Sequence, residues 1–274
     1  MKNILVPIDF SEASRNAAKY AVSLAKSFNA EVTFINVIPP SVIINDPVLA
    51  FTMTTSAEIH ERHKQLMKKE LKTLTKEYQV KITGLVKEGY IPDILQEMVK
   101  EKQADLIIMG MKGKGKSNSV FGSTTTTIIR KLSLPVFVIP EKAGFKPIHN
   151  ITFATDFDAE MEIDRYTLLL ELLGKFDSKI CILDVEKNDS SFNAEKVIGK
   201  METNLAFSKL NHEFHTIRQK NVEEGINAFL GENPTDVLAM VAHKHTLFAR
   251  MFGKVHTREM SYQTKIPLLI LQDK

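Results

Sequence analysis

Glycines, lysine and hydroxyl residues cluster after one apolar run of the sequence, and together they have the chemistry needed to hold a phosphate. Glycines let backbone N–H groups approach an anion, and the start of a helix adds free N–H donors and a favourable dipole. A lysine in the same stretch adds positive charge. The predicted phosphate-binding residues are, in order, Gly110, Lys112, Gly113, Gly122, Ser123 and Thr124.

A second set of residues has the chemistry to contact the base and sugar of a nucleotide. Asp9 directly follows the opening apolar run and can accept hydrogen bonds from an adenine or a ribose. The other members of this set lie at the ends of three apolar runs. They are Pro7, Ile8, Val37 and Met109.

The elements that must position both sets alternate between strand and helix. Strands are predicted at residues 4–6, 32–37, 80–86, 106–109 and 136–139. Helices are predicted between them, at residues 11–28, 56–78, 92–100 and 123–132. Such alternation requires a parallel sheet with helices on both faces. Ligands bind parallel sheets beyond the carboxyl ends of the strands, where the strand order reverses, and both sets of residues lie at that edge.

The second half of the chain repeats the first. NILVPIDF at residues 3–10 recurs as NITFATDF at residues 150–157, and SLPVFVIP at residues 133–140 recurs as KIPLLILQ at residues 265–272. We therefore predict an α/β protein of two tandem Rossmann-like or flavodoxin-like domains, residues 1–140 and 150–274. Each is expected to be a five-stranded parallel sheet, and the short connector should let the two domains pack together.

Composition is that of an ordinary globular protein. The 36 basic and 33 acidic residues give a formal charge of +3, which is too balanced for a chain that binds nucleic acid or an anionic membrane. No apolar run approaches the roughly 20 residues of a membrane span, and no signal segment precedes the first strand. The sequence therefore predicts a cytoplasmic protein.

With these features, the whole chain resembles a tandem member of the universal stress protein family. The likeness lies in the opening strand that ends in Asp, and in the closing order of strand, glycine loop, helix and Pro-led strand. Nucleotide-binding members carry Gly-x2-Gly-x9-Gly-[Ser/Thr], whereas this sequence has eight residues between Gly113 and Gly122. The resemblance implies that Asp9 and Val37 face the adenine and ribose of ATP or AMP, with or without magnesium. It also implies phosphate contacts from the glycine loop.

The resemblance further implies a stress-linked sensor or regulator rather than a well-defined enzyme. The site offers phosphate donors without an evident general base, so we expect ATP hydrolysis to be slow or absent. Terminal strands join two subunits in this family, and the strands at residues 136–139 and 268–271 can make the same contact within one chain. This contact would give an intrachain pseudo-dimer, which can dimerise further, and would cover two sheet edges.

The second copy keeps the aspartate of the site but lacks its glycines. Asp156 corresponds to Asp9, whereas Ala242, His245 and Lys254 occupy the three glycine positions. Side chains there would block the approach of a phosphate to the backbone. We therefore predict a nucleotide site in the first copy alone, with the second copy as a degenerate scaffold or partner surface.

Two other interpretations remain open. The first is an interaction module whose nucleotide site is vestigial. The second is an ATPase, because GMKGKGKS at residues 110–117 matches the P-loop pattern and follows a strand. A P-loop helix begins at the Lys-Ser pair, however, whereas residues 118–122 are poor helix formers and the helix is predicted from Ser123. The P-loop interpretation is therefore the weaker one.

Histidine and cysteine side chains are the remaining residues in the sequence that can bind a metal. His243 and His245 lie beside the loop of the second copy, and zinc accepts imidazole ligands. No cysteine pair or carboxylate spacing accompanies them, so we predict no metal site and solvent-exposed histidines, including His60 and His63. The single cysteine, Cys181, lies in an apolar run and is predicted to fill the core.

Overall fold

The structure is a computed structural model that describes residues 1–40, 56–111, 123–157, 166–187, 193–242 and 265–272. Within these ranges, ten strands and seven helices alternate along the chain. The predicted α/β alternation is confirmed, and the boundaries differ from prediction by only a few residues. The internal repeat also predicts helices near residues 161–176 and 255–264 of the second half; residues 161–165 and the whole of 255–264 lie outside the described ranges.

The first half contains five strands and four helices. They are β1 (Asn3–Pro7), α1 (Glu12–Phe28), β2 (Glu31–Ile38), α2 (Ser56–Tyr78), β3 (Ile82–Glu88), α3 (Ile91–Lys102), β4 (Leu106–Met111), α4 (Ser123–Lys131) and β5 (Val136–Pro140). The second half repeats the order with five strands and three described helices. They are β6 (Asn150–Ala154), α5 (Thr167–Phe176), β7 (Lys179–Lys187), α6 (Ala194–Phe207), β8 (His212–Gln219), α7 (Val222–Glu232), β9 (Val237–Ala242) and β10 (Leu268–Gln272).

Local sequence explains where helix α1 begins and ends. Ser11 caps it, because the Ser11 hydroxyl accepts a hydrogen bond from the Ser14 amide at 3.3 Å. Asn29 ends it in the left-handed conformation, with φ of 53°. Alanines on its inner face, such as Ala17 and Ala21, are fully buried and let the helix lie close to the sheet.

All ten strands form one sheet, in the order β3-β2-β1-β4-β5-β10-β9-β6-β7-β8. Within each half, neighbouring strands are parallel. The halves meet where β5 and β10 pair antiparallel, with Leu269 opposite Phe137. This confirms the predicted pairing of the two terminal strands, and it joins two five-stranded units into a single mixed sheet.

Helices cover both faces of the sheet, as predicted. One face packs against α1, α2, α5 and α6 around the buried rings of Phe34, Phe137, Phe153 and Phe207. The other face packs against α3, α4 and α7, with Leu95, Met98 and Ile128 fully buried. Because both layers run through β5 and β10, apolar packing continues from one half into the other.

The connector between the halves is packed rather than loose. The Asn16 side chain donates hydrogen bonds to the carbonyls of Pro140 and Ala143, both at 2.9 Å. The Phe145 ring lies 5.2 Å from the ring of Tyr20 and 6.3 Å from that of Phe176, so it bridges α1 and α5. These contacts hold the two halves together on the α1 face of the sheet.

The internal repeat extends to single hydrogen bonds. In the first half, Asp105 accepts a hydrogen bond from the Asn3 amide at 2.9 Å. In the second half, Asp236 accepts one from the Asn150 amide, also at 2.9 Å. Each aspartate precedes the fourth strand of its half and holds the start of the first strand, so the two halves share the same framework.

Candidate functional site

The candidate site lies where the strand order of the first half reverses. Strand β1 has β2 on one side and β4 on the other, with Leu5 of β1 opposite Ile107 of β4. The next strand along the chain from β1 therefore lies on one side, and the fourth strand lies on the other. This crevice beyond the carboxyl ends of β1 and β4 is where open parallel sheets bind ligands. The structure brings Asp9, which follows β1, and Gly110, near the end of β4, to this edge.

Asp9 is exposed at the crevice, and its carboxylate is held by the start of α1. Its Oδ1 atom accepts hydrogen bonds from the Ser11 amide at 3.0 Å and from the Ser11 hydroxyl at 2.5 Å. Phe10 between them adopts the left-handed conformation, with φ of 62°, and Phe157 does the same in the second half, at 56°. Both halves thus make the same sharp turn after their aspartate.

Two of the four other residues predicted to contact the base pack their side chains into the hydrophobic core. Ile8 is 3% exposed and Met109 is 6% exposed, so their side chains pack inward and only their backbones remain for a ligand. Pro7 and Val37 are half-buried at the ends of β1 and β2. Of this set, the structure therefore leaves Asp9, Pro7 and Val37 as the side chains nearest to solvent.

Gly110 has a packing role that the sequence did not reveal. A Cβ atom at this residue would lie 2.4 Å from the Ala13 carbonyl oxygen and 2.5 Å from its carbonyl carbon. Both atoms are backbone atoms of the first turn of α1, so they cannot move aside as a flexible side chain would. Glycine is therefore required here for the close approach of β4 to α1, whether or not a phosphate binds beyond it.

The phosphate-binding residues of the glycine loop fall partly outside the described structure. Lys112, Gly113 and Gly122 lie in the undescribed range 112–122. Helix α4 is described from Ser123, and Thr124 in its first turn is exposed. In the second half, Ala242 is half-buried at the end of β9, whereas the positions that align with Gly113 and Gly122 also lie outside the described ranges.

A network of polar contacts connects the end of β2 to the backbone that follows β1, next to the crevice. Asn36 is 3% exposed, and its side chain donates a hydrogen bond to the Ile8 carbonyl at 2.7 Å. Its Oδ1 atom lies 2.7 Å from Nδ1 of His63 on α2. The His63 ring also contacts the edge of the Phe10 ring, at 5.9 Å between centroids. The network therefore ties α2 to the turn that carries Asp9.

The prediction that His60 and His63 are solvent-exposed is wrong, because both are half-buried and the His63 ring is hydrogen-bonded. Partial burial lowers the pKa of His63 below its usual 6.5, and the nearby charges of Arg62 and His60 lower it further. An asparagine inside the apolar run EVTFINVI was the available signal, since buried amides require partners. The sequence did not identify the partner, because it lies on a separate helix.

The second half replaces this network with charges. The strand registers make Asp184 the equivalent of Asn36, because Pro7 pairs with Ile35 and Ala154 pairs with Leu183. Asp184 is 1% exposed, and its carboxylate forms ion pairs with Lys196 and Lys200 of α6, both at 2.7 Å. The two halves thus share a backbone but differ in the chemistry beneath their carboxyl edges.

A cavity of about 320 Å³ opens at the other edge of the first half. It lies at the amino ends of β4 and β5, where α5 and β10 of the second half also reach. Its lining residues are Met1, Ala104, Asp105, Ser133, Leu134, Pro135, Thr167, Leu168, Glu171 and Gln272. The cavity is therefore distinct from the predicted nucleotide crevice.

Comparison with known proteins finds similarity to universal stress proteins. The profile described as the universal stress protein family matches residues 1–140, just over half of the chain. A universal stress protein from Methanocaldococcus jannaschii is 34% identical over 139 residues, which is 50% of this chain and 81% of that protein. Universal stress protein G of Escherichia coli O157:H7 is 26% identical over 143 residues, or 50% of this chain and 98% of that protein.

Solved structures match the full length of the chain. A universal stress protein from Archaeoglobus fulgidus superposes with a TM-score of 0.75 at 15% identity, covering 98% of each chain. A putative universal stress protein from Pseudomonas aeruginosa superposes with a TM-score of 0.57 at 11% identity, covering 99% of this chain and 93% of that one. At such low identity, these likenesses show the shared fold alone. No helix in the described part of the chain is long and apolar enough to cross a membrane.

Proposed function

Because the chain belongs to the universal stress protein family, we propose that it binds an adenine nucleotide and acts as a sensor or regulator in the stress response. The proposed site lies in the first domain, residues 1–140, and the second domain, residues 150–274, is a scaffold or partner surface in the cytoplasm. The observation that carries the proposal is the placement of Asp9 and Gly110 together at the edge where the strand order reverses.

Each part of the nucleotide has a proposed set of contacts. The Asp9 carboxylate, held in place by Ser11, accepts hydrogen bonds from the adenine amine or the ribose hydroxyls. The half-buried Pro7 and Val37 provide apolar contact for the base, and the backbones of Ile8 and Met109 line the crevice. The phosphates of ATP or AMP, with or without magnesium, are held by Gly110, Lys112, Gly113, Gly122, Ser123 and Thr124.

Binding rather than catalysis is the proposed activity. The carboxylate of Asp9 is engaged by two hydrogen bonds from Ser11, so it is poorly placed to take a proton from an attacking water. The start of α4 supplies donors that stabilise phosphate charge but do not activate water. We therefore propose that ATP turnover is slow at most.

The direct test is whether protein purified without added ligand releases AMP, ADP or ATP on denaturation, measured by mass spectrometry. A ligand that binds only the folded state at a hundredfold excess over its dissociation constant stabilises it by about 2.7 kcal/mol, so ATP with magnesium should raise the melting temperature. Gly113→Val should abolish this shift. Gly144→Val is the matched control, because a Cβ atom there meets nothing within 4 Å and the shift should persist.

An interaction module is the second candidate function, and one surface favours it. Helix α6 exposes four large apolar side chains, Val197 at 39%, Ile198 at 56%, Met201 at 67% and Leu205 at 74%, and the last three recur at helical spacing. Apolar stripes of this kind commonly form protein contacts. If a second copy covers the stripe, the wild type should sediment as a dimer and Met201→Glu as a monomer. Absence of nucleotide release, together with such a dimer, would favour this candidate over the first.

A further inference from the structure

Three side chains that can bind a metal meet on one face of the second half. Cys181 of β7 lies opposite Glu213 of β8 in the parallel register. His215 lies two residues further along β8 and therefore on the same face as Glu213. Their sulfur, oxygen and nitrogen atoms all lie within 4.8 Å of one another. This cluster is far along the sheet from the nucleotide crevice.

The spacing of the three atoms is close to what a tetrahedral metal requires. Cys181 Sγ lies 3.0 Å from Glu213 Oε1, and His215 Nε2 lies 2.9 Å from the same oxygen. Zinc–ligand bonds of about 2.0–2.3 Å place tetrahedral ligand atoms about 3.3–3.6 Å apart. To admit the ion, both contacts at the Glu213 oxygen lengthen by about half an ångström, and the sulfur and ring nitrogen, which lie within 4.8 Å of each other, approach to about 3.6 Å.

We propose that Cys181, Glu213 and His215 form a zinc site. Thiolate, carboxylate and imidazole together suit a borderline metal such as zinc, rather than the oxygen-binding magnesium or calcium. The Glu213 and His215 side chains are 37% and 34% exposed, whereas Cys181 is buried, so the ion enters from the solvent side. Three protein ligands leave the fourth position for water.

The surroundings hold two of the ligands in place. Lys179 binds the other carboxylate oxygen of Glu213 at 2.6 Å, and the Phe229 ring packs against the His215 ring at 5.0 Å between centroids. Formation of the zinc–sulfur bond releases the thiol proton of Cys181 to solvent, while Lys179 keeps its charge. The lysine repels the incoming ion, which favours a moderate rather than a very tight affinity.

The fold itself does not require this cluster. The strand registers make Thr33, Thr83 and Leu85 the equivalent residues in the first half, and these offer no comparable ligand set. Cys181 lies in the apolar core, as predicted, and its thiol also donates a hydrogen bond to Glu213. Zinc would join the edge strand β8 to β7 and so stabilise the end of the sheet.

Cobalt(II) is the probe that isolates this site, because Cys181 is the only cysteine of the chain. A sulfur-to-cobalt charge-transfer band can therefore arise at no other residue, even if histidines elsewhere bind the ion. The intact wild-type protein, reduced and freed of metal, should develop the band with saturation at one equivalent of cobalt. Zinc should then displace it.

Single substitutions distinguish a metal site formed by all three residues from a cysteine that binds cobalt alone. Cys181→Ser should remove the band, and His215→Gln and Glu213→Gln should each weaken cobalt binding by about tenfold or more while the thiol remains. His212→Gln, on the same strand but outside the cluster, should bind like the wild type. If Cys181→Ser fails to fold, the two other ligand variants still decide. No band in the wild type, or unchanged affinity in both ligand variants, would overturn the proposal.

Discussion

A single methyl group at residue 110 should destabilise the protein, because β4 and α1 leave no room for it. In Gly110→Ala, the new Cβ atom would lie 2.4 Å from the Ala13 carbonyl oxygen and 2.9 Å from the Ser14 amide nitrogen. An ordinary contact begins at 3.4 Å, so strand and helix must separate by roughly an ångström. Both neighbours are backbone atoms, so a rotamer change cannot relieve the clash.

Two opposing effects determine the expected change in the free energy of unfolding. Overpacking of this kind costs about 1–3 kcal/mol. Alanine also restricts the unfolded chain, which returns about 0.4–1 kcal/mol. With each effect taken at the middle of its range, the free energy of unfolding of Gly110→Ala should be lower than that of the wild type by about 1.3 kcal/mol. Urea unfolding followed by circular dichroism measures this difference.

Gly174→Ala is the matched control. Gly174 lies inside helix α5, and a Cβ atom there would meet nothing within 4 Å. Replacing a helix-interior glycine with alanine stabilises a protein by about 0.5–1 kcal/mol. The two substitutions should thus shift the free energy of unfolding in opposite directions. Equal stability of Gly110→Ala and the wild type would refute the close approach of β4 to α1.

Three further outcomes are expected. Cleavage of the chain within residues 141–149 should give halves that self-associate or unfold, because each half exposes β5 or β10. Analytical ultracentrifugation and thermal melts measure this. Halves that are monomeric and as stable as the whole chain would contradict the prediction. Because the pKa of folded His63 is lowered, its contribution to the free energy of unfolding is present above pH 6.5 and is lost as the pH falls below 6.5. His63→Gln should therefore make urea unfolding less dependent on pH below 6.5. Lys116→Ala should weaken ATP binding only modestly in calorimetry, whereas robust hydrolysis that disappears in this variant would establish the P-loop interpretation instead.

The elements of this fold were predictable because each one satisfies a local rule. Ser11 is a good N-cap, and α2 spans the predicted residues 56–78 because its apolar positions keep a helical period. The pairing of β5 with β10 was also predictable, since two apolar strands that end equivalent halves would otherwise remain exposed.

The contacts between distant residues were not predictable from the sequence. Asn36 and His63 are 27 positions apart, and their contact depends on where α2 crosses the sheet. The cluster of Cys181 and Glu213 depends on the register of β7 against β8, which no local pattern encodes. Gly110 shows a different difficulty, because a glycine that allows close packing and one that admits a phosphate look identical in sequence.

Isothermal titration with ATP and magnesium, using paired aspartate variants, tests the proposed function most directly. Asp9 and Asp156 are equivalent residues of the two halves, so each variant controls for the other. The proposal predicts one ATP bound per chain, binding that is lost or greatly weakened in Asp9→Ala, and binding that is unchanged in Asp156→Ala. Two equivalents per chain, no binding by the wild type, or full affinity in Asp9→Ala would contradict a nucleotide site in the first domain alone.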